Sequence, residues 1–132
     1  MCVVLLADAD PEECDRLTRV LEQAGHTVRA YTNGLGAWDA IRSQPDILVL
    51  NIAFPKGQPH GLAIAARARS TRPRTRVIFL SRPFEPANQF LEDECVLQKP
   101  YESAALLALV EASEAHDDAG ALASAAYLPA VG

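Results

Sequence analysis

The sequence predicts an α/β domain built as a doubly wound, five-stranded parallel sheet with helices on both faces. Three observations carry that expectation. Residues 3–6, 47–50, 77–80 and 95–97 are uninterrupted apolar runs, as strands buried on both faces require. Segments with apolar residues at helical spacing alternate with these runs, and Gly, Pro or Asn marks the turns between them. Right-handed crossovers then leave few topologies open.

The first strand is Val3-Val4-Leu5-Leu6. Asp10-Pro11-Glu12-Glu13 follows as a helix start: Asp10 can cap, Pro11 suits the first helical position, and Glu13 has capping-box spacing. Cys14, Leu17, Val20, Leu21 and Ala24 recur on one face, and Gly25 stops the helix. The second strand covers roughly residues 26–31 around Val28. Asn33-Gly34 turns the chain into a second helix, in which Leu35, Trp38 and Ile41 are expected to face one way. Pro45-Asp46 opens the third strand, which ends at Asn51, and residues 55–60 form a loop. An alanine-rich helix over 61–70 carries Leu62, Ile64, Ala65 and Ala66. The fourth strand stops at Ser81-Arg82-Pro83, and a short helix is expected at about 86–91. The fifth strand ends at Lys99-Pro100. A last helix runs from Tyr101 to about Ala115, with Leu106, Leu107 and Val110 inward.

Residues 1–115 thus read as one domain, followed by an alanine-rich tail at 116–132 with no output domain. The tail reads either as a frayed end or as a short element docking on its own domain or a partner. A hydrophobic content of 49% with 22% charged residues is that of a globular protein. A net charge of -5 argues against nucleic acid, whose backbone attracts basic surfaces. No run approaches the roughly 18 apolar residues of a membrane span, and the N-terminus lacks the basic start of a signal peptide. Cys2, Cys14 and Cys95 form no CxxC pair and sit in apolar patterns, which suits core packing in a reducing cytoplasm.

Ligands of such sheets gather at the carboxyl ends of the strands. There the sequence places Asp8, Asn51, Ser81 and Lys99 after the first, third, fourth and fifth strands. These residues lie within Leu5-Leu6-Ala7-Asp8-Ala9-Asp10-Pro11, Pro45-Asp46-Ile47-Leu48-Val49-Leu50-Asn51 with Pro55 beyond, Val77-Ile78-Phe79-Leu80-Ser81 and Leu97-Gln98-Lys99-Pro100. Asn33-Gly34-Leu35-Gly36-Ala37 adds a fifth match. In this order and spacing the chain resembles the receiver domain of two-component response regulators, with its CheY-like, flavodoxin-type fold, from about residue 3 to 110. The resemblance implies strand order 2-1-3-4-5 and a site where an aspartate after the third strand accepts phosphate beside Mg²⁺.

Ser81 and Lys99 match that site, and Asp8 matches the first of its two paired acids. Ala9 stands at the second acid and Asn51 at the phospho-acceptor. Asp8, Asn51 and Ala53 mark where the family's cation would be held. An amide is a poor nucleophile where a carboxylate oxygen must attack phosphorus. Mg²⁺ is a hard cation held by carboxylates. Three family carboxylates and one lysine sum to a formal charge of about -2, whereas Asp8 and Lys99 alone sum to about zero. The sequence therefore predicts that Asp8 pairs with Lys99 directly or through Asn51, with Mg²⁺ binding weak or absent and no other cofactor. Asp10 is read as a helix cap rather than a ligand.

Two further departures touch the switch. Val96 stands where the family often has an aromatic that acts with the Ser81 position, and the loop over 55–61, which contains Gln58, Pro59 and His60, is about two residues longer. His60 reads as an exposed loop residue. Arg67, Arg69, Arg72, Arg74 and Arg76 crowd the end of the third helix, where a solvated basic face is the plain expectation and a docking patch for an acidic partner the sharper one.

The function expected is a stand-alone pseudo-receiver acting by protein contact. Its partner would be a histidine kinase or another signalling protein. The resemblance points to a face of fourth helix, fifth strand and fifth helix, about residues 87–109, which would also serve a homodimer. Two alternatives are a receiver phosphorylated on Asp8 and a sensor holding a small molecule in the near-neutral pocket. No independent enzyme is expected, since no nucleophile elbow, catalytic triad or phosphate loop is present.

Overall fold

A computed structural model of the protein describes residues 2–83 and 94–115. The five strands are β1 (Val3–Ala7), β2 (Thr27–Tyr31), β3 (Ile47–Asn51), β4 (Arg76–Ser81) and β5 (Cys95–Gln98). The helices are α1 (Pro11–Gln23), α2 (Gly34–Ala40), α3 (Gly61–Thr71) and α4 (Ser103–Ala115), and a single 3-10 turn covers Ile41–Ser43. All strand pairs are parallel, in the order β2-β1-β3-β4-β5. The order reverses between β1 and β3, and that is the crevice where such sheets do their chemistry. The helix expected at 86–91 and the tail at 116–132 lie outside the described residues.

Period-two alternation in the apolar runs sorts the core into two layers. Val4, Leu6, Ile47, Val49, Ile78 and Leu80 pack with α1 and α4, through Leu17, Leu21, Leu106 and Val110. The intervening Leu5, Ala7, Leu48, Leu50, Val77 and Phe79 pack with α2 and α3, through Ala37, Ile64 and Ala68. Every residue of β3 is buried, as its unbroken run predicts, whereas edge strand β2 is largely exposed. Covering both faces of the central strands fixes their carboxyl ends in space.

Local signals at α1 hold with one change. Asp10 is the N-cap and accepts from the backbone N–H of Glu12 at 3.0 Å, Pro11 takes the first position, and Gly25 at φ +96° ends the helix. The capping box does not close. The Asp10 N–H that Glu13 would serve donates instead to Asp8 Oδ1 at 2.9 Å, and Glu13 pairs with Arg16. Of the face expected in α2 and the turn after it, Ile41 is buried and Trp38 half-buried against the core, and Leu35 is the exception. Leu35 is 57% exposed, while Gly34, Ala37 and Ile41 turn inward. Asn33 caps this helix through the Gly36 N–H at 2.6 Å, at the turn the sequence places there.

Two residues of this framework give measurable consequences. A Cβ on Gly61 would stand 2.1 Å from the Asn51 carbonyl oxygen, because the first turn of α3 rests on the end of β3 and donates Gly61 N–H to Ile52 O at 2.8 Å. Gly61→Ala must push backbone from backbone, and is expected to cost about 2 kcal/mol in urea unfolding. Cys95 is buried, and burial first, with the Glu94 carboxylate second, pushes its thiol up to about 12. A raised folded pKa means the unfolded chain releases the proton first. Stability is therefore full below about pH 9 and falls at about 1.4 kcal/mol per pH unit up to about 12. Burial raises the Tyr101 phenol in the same direction. Urea midpoints should hold up to about pH 9 and fall above it, and Cys95→Ala should flatten the first part of that decline.

Candidate functional site

The site begins one residue beyond β1. Asp8 is fully buried, and its own N–H donates to Tyr31 O at 3.1 Å, which continues the β1–β2 pairing past the strand end. Its carboxylate takes three donors: the Asp10 N–H on Oδ1 at 2.9 Å, Asn51 Nδ2 on Oδ1 at 3.0 Å, and Lys99 Nζ on Oδ2 at 2.9 Å. Lys99 arrives because β5 is held to β4 at its end, where Lys99 N–H donates to Ser81 O at 2.7 Å. The lysine side chain is 20% exposed, so the pair sits at the rim of the domain with its acid wholly inside.

An ionised carboxylate only accepts, so Asn51 must present its NH₂ to Asp8 and turn its carbonyl oxygen away. Asn51 is 4% exposed, and that Oδ1 has no hydrogen-bond partner among the described residues. Ser81 is 1% exposed and its Oγ is likewise unpartnered. Each such buried polar atom costs about 1–3 kcal/mol if nothing solvates it. The amide thus donates a hydrogen bond where a carboxylate would add charge. Both Asp8 oxygens are engaged by protein donors, and the next residue, Ala9, has no oxygen in its side chain to add. Among the described residues no cluster of three His, Cys, Asp or Glu side chains stands ready for a metal. Mg²⁺ takes oxygen ligands with net negative charge, and the carboxylate among the groups joined here, Asp8, is already paired with Lys99.

The direct bonds join Asp8, Asn51 and Lys99. Ser81 adjoins them through its carbonyl on Lys99 and through β4, where Leu80 lies beside Asn51. Ala9 and Val96 are half-buried against the α2–α3 layer. Ala53 is half-buried two residues past Asn51. Of the longer loop, Gln58 does not serve the pocket: its Oε1 accepts from the Gly34 N–H at 2.8 Å and ties the loop to the start of α2. His60 is exposed and its side chain makes no cap on α3.

Sequence reasoning missed Tyr101, two residues beyond Lys99. Its ring packs into the α1–α4 layer, its hydroxyl is buried without a partner, and Arg16 lies 6.0 Å over the ring. Arg16 also bonds Ser103 Oγ, linking α1 to the start of α4. An aromatic so soon after the strand-five lysine was the available signal. In the arginine cluster Arg74 is exposed, as a solvated face predicts, while three others are partly buried and paired. Arg67 lies 4.7 Å over Trp38, Arg69 holds Glu94 through two bonds of 2.8 and 2.7 Å, and Arg72 binds Asp46 at 3.0 Å.

A 2-1-3-4-5 parallel sheet with an acid, a serine and a Lys-Pro at its carboxyl edge defines the CheY-like receiver class. The sequence profile of the response regulator receiver domain family matches residues 4–111, and the chain belongs to that family. It is 28% identical over 103 residues to the response regulator receiver protein CpdR of Brucella abortus (strain 2308), covering 74% of this chain and 84% of that protein. Among solved structures it resembles a response regulator receiver protein from Sinorhizobium medicae WSM419. There the TM-score is 0.77 at 28% identity, over 87% of this chain and 95% of the other. A Francisella response regulator receiver domain matches in fold, with TM-score 0.75 at 22% identity over 88% and 98% of the two chains. Receiver domains work in two-component signalling, alongside histidine kinases. No helix among the described residues is long and apolar enough to cross a membrane.

Proposed function

We propose that this receiver domain signals in the cytoplasm by protein contact, without aspartyl phosphorylation. The supporting observation is the bond from Asn51 Nδ2 to Asp8 Oδ1 at 3.0 Å, completed by Lys99 on the other oxygen. The amide cannot attack phosphorus, and the acid beside it is already neutralised. The pocket therefore ties the ends of β1, β3 and β5 into one arrangement with no charge left for a cation to balance. The contact face is β5 with α4 and the segment expected at 86–91, and it meets a histidine kinase, another signalling protein or a second copy of the chain.

The test is incubation with a small phosphodonor and Mg²⁺, followed by intact-mass measurement. The wild-type chain should gain no phosphoryl group, and the double variant Ala9→Asp with Asn51→Asp should gain one. Label on the wild type that disappears in Asp8→Ala would instead establish Asp8 as the acceptor, against which its two occupied oxygens argue. A second reading has one observation in its favour. The unpartnered Asn51 Oδ1 and Ser81 Oγ offer a small polar molecule two hydrogen-bonding positions inside the cleft. A thermal-shift screen would register such a ligand, since binding to the folded state raises Tm.

A further inference from the structure

The three cysteines sit in opposed chemical settings. Cys14 and Cys95 are 3% and 7% exposed, and burial raises both thiols. Cys2 lies at the amino edge of the sheet, the end remote from Asp8, and is only partly buried. Its Sγ stands 3.4 Å from His26 Nδ1, and its backbone N–H donates to the same nitrogen at 3.3 Å.

That second contact fixes the ring. A backbone N–H can only donate, so Nδ1 carries the lone pair and the neutral imidazole bears its hydrogen on Nε2. The thiol hydrogen of Cys2 then faces a base. Both residues are held in place: His26 N–H donates to Leu21 O at 3.1 Å, and Thr27 N–H donates to Cys2 O at 3.0 Å. His26 is 6% exposed, and its Nε2 has no hydrogen-bond partner. The ring is therefore a fixed wall on which the more accessible thiol rests.

We propose that Cys2 and His26 form a thiol-modification site that reacts with low-molecular-weight disulfides. The Cys2 thiol gives its proton to His26 Nδ1, and the long 3.3 Å bond to that nitrogen yields to a charge-assisted contact with the thiolate. The thiolate attacks one sulfur of the disulfide. A bond from Cys2 Sγ to that sulfur forms as the original S–S bond breaks. The departing thiolate keeps the electron pair and takes the proton from His26, leaving as a thiol. Cys2 is oxidised, half of the disulfide is reduced, and no other reactant is needed. The site shares no residue with the Asp8 cluster and stands or falls separately from it.

Packing alone slows a thiol, whereas an adjacent base speeds it, so the comparison of folded with unfolded chain separates the two. With oxidised glutathione near neutral pH, the folded protein should gain one adduct, mapped to Cys2 by peptide mass. It should form about tenfold faster than on Cys2 of the urea-unfolded chain. His26→Gln offers Cys2 N–H an acceptor but no base. It should lose the acceleration while circular dichroism shows the fold intact, and Cys2→Ser should remove the adduct. Should that variant not fold, the folded-to-unfolded ratio in the wild type decides alone. A folded-state rate no greater than the unfolded one overturns the proposal. So does an unchanged rate in a folded His26→Gln.

Discussion

Lys99→Met is expected to destabilise the domain by about 3–5 kcal/mol, the range for removing one partner of a buried ion pair. Asp8 is fully buried and keeps only two neutral donors once the ammonium is gone, the Asp10 N–H and the Asn51 amide. The reverse change should cost less. In Asp8→Asn the lysine, 20% exposed, can swing its ammonium into water. Urea unfolding of both variants checks the asymmetry. Equal losses would contradict the asymmetry, and a Lys99→Met change within about 0.5 kcal/mol of wild type would mean the pair adds nothing to stability.

Asn51→Asp should have the second large effect, and its sign should depend on the cation. The substitution replaces a donor 3.0 Å from Asp8 with a second acid. At an effective dielectric of about 20, two charges at that separation repel by roughly 5 kcal/mol before any relaxation. Protonation of one acid and movement of Lys99 relieve part of this, leaving an expected loss of about 3 kcal/mol without divalent ions. Mg²⁺ should then recover stability, because a ligand at about a hundred times its Kd contributes about 2.7 kcal/mol. Adding Ala9→Asp should deepen both the loss and the recovery. Melting curves with Mg²⁺ and with a chelator read the effect directly, and a variant indifferent to Mg²⁺ would contradict it.

Much of this arrangement was legible because strand ends are legible. Four apolar runs stop at polar residues, and a parallel sheet brings those ends to one edge, so Asp8, Asn51 and Lys99 could be grouped before any contact was visible. Charge counting then gave the Asp8–Lys99 pair. Side chains whose partners come from distant segments were not legible. Leu35 fits the apolar spacing of α2, yet the Asn33 cap and the buried Gly34 rotate the helix so that Ala37 faces inward. Three of the arginines look like a basic surface until Trp38, Asp46 and Glu94 are seen to meet them. Glu13 has capping-box spacing, but Asp8 reaches the Asp10 amide first. Spacing encodes which face a residue occupies, while these outcomes turn on which donor a distant acceptor captures.

Calorimetric titration of Mg²⁺ into the unaltered protein tests the central claim most directly. With its cleft already balanced by an amide and a lysine, the chain should give no saturable heat up to about 10 mM Mg²⁺. A one-to-one isotherm with a sub-millimolar Kd, lost in Asp8→Ala, would show that the cleft still carries net negative charge.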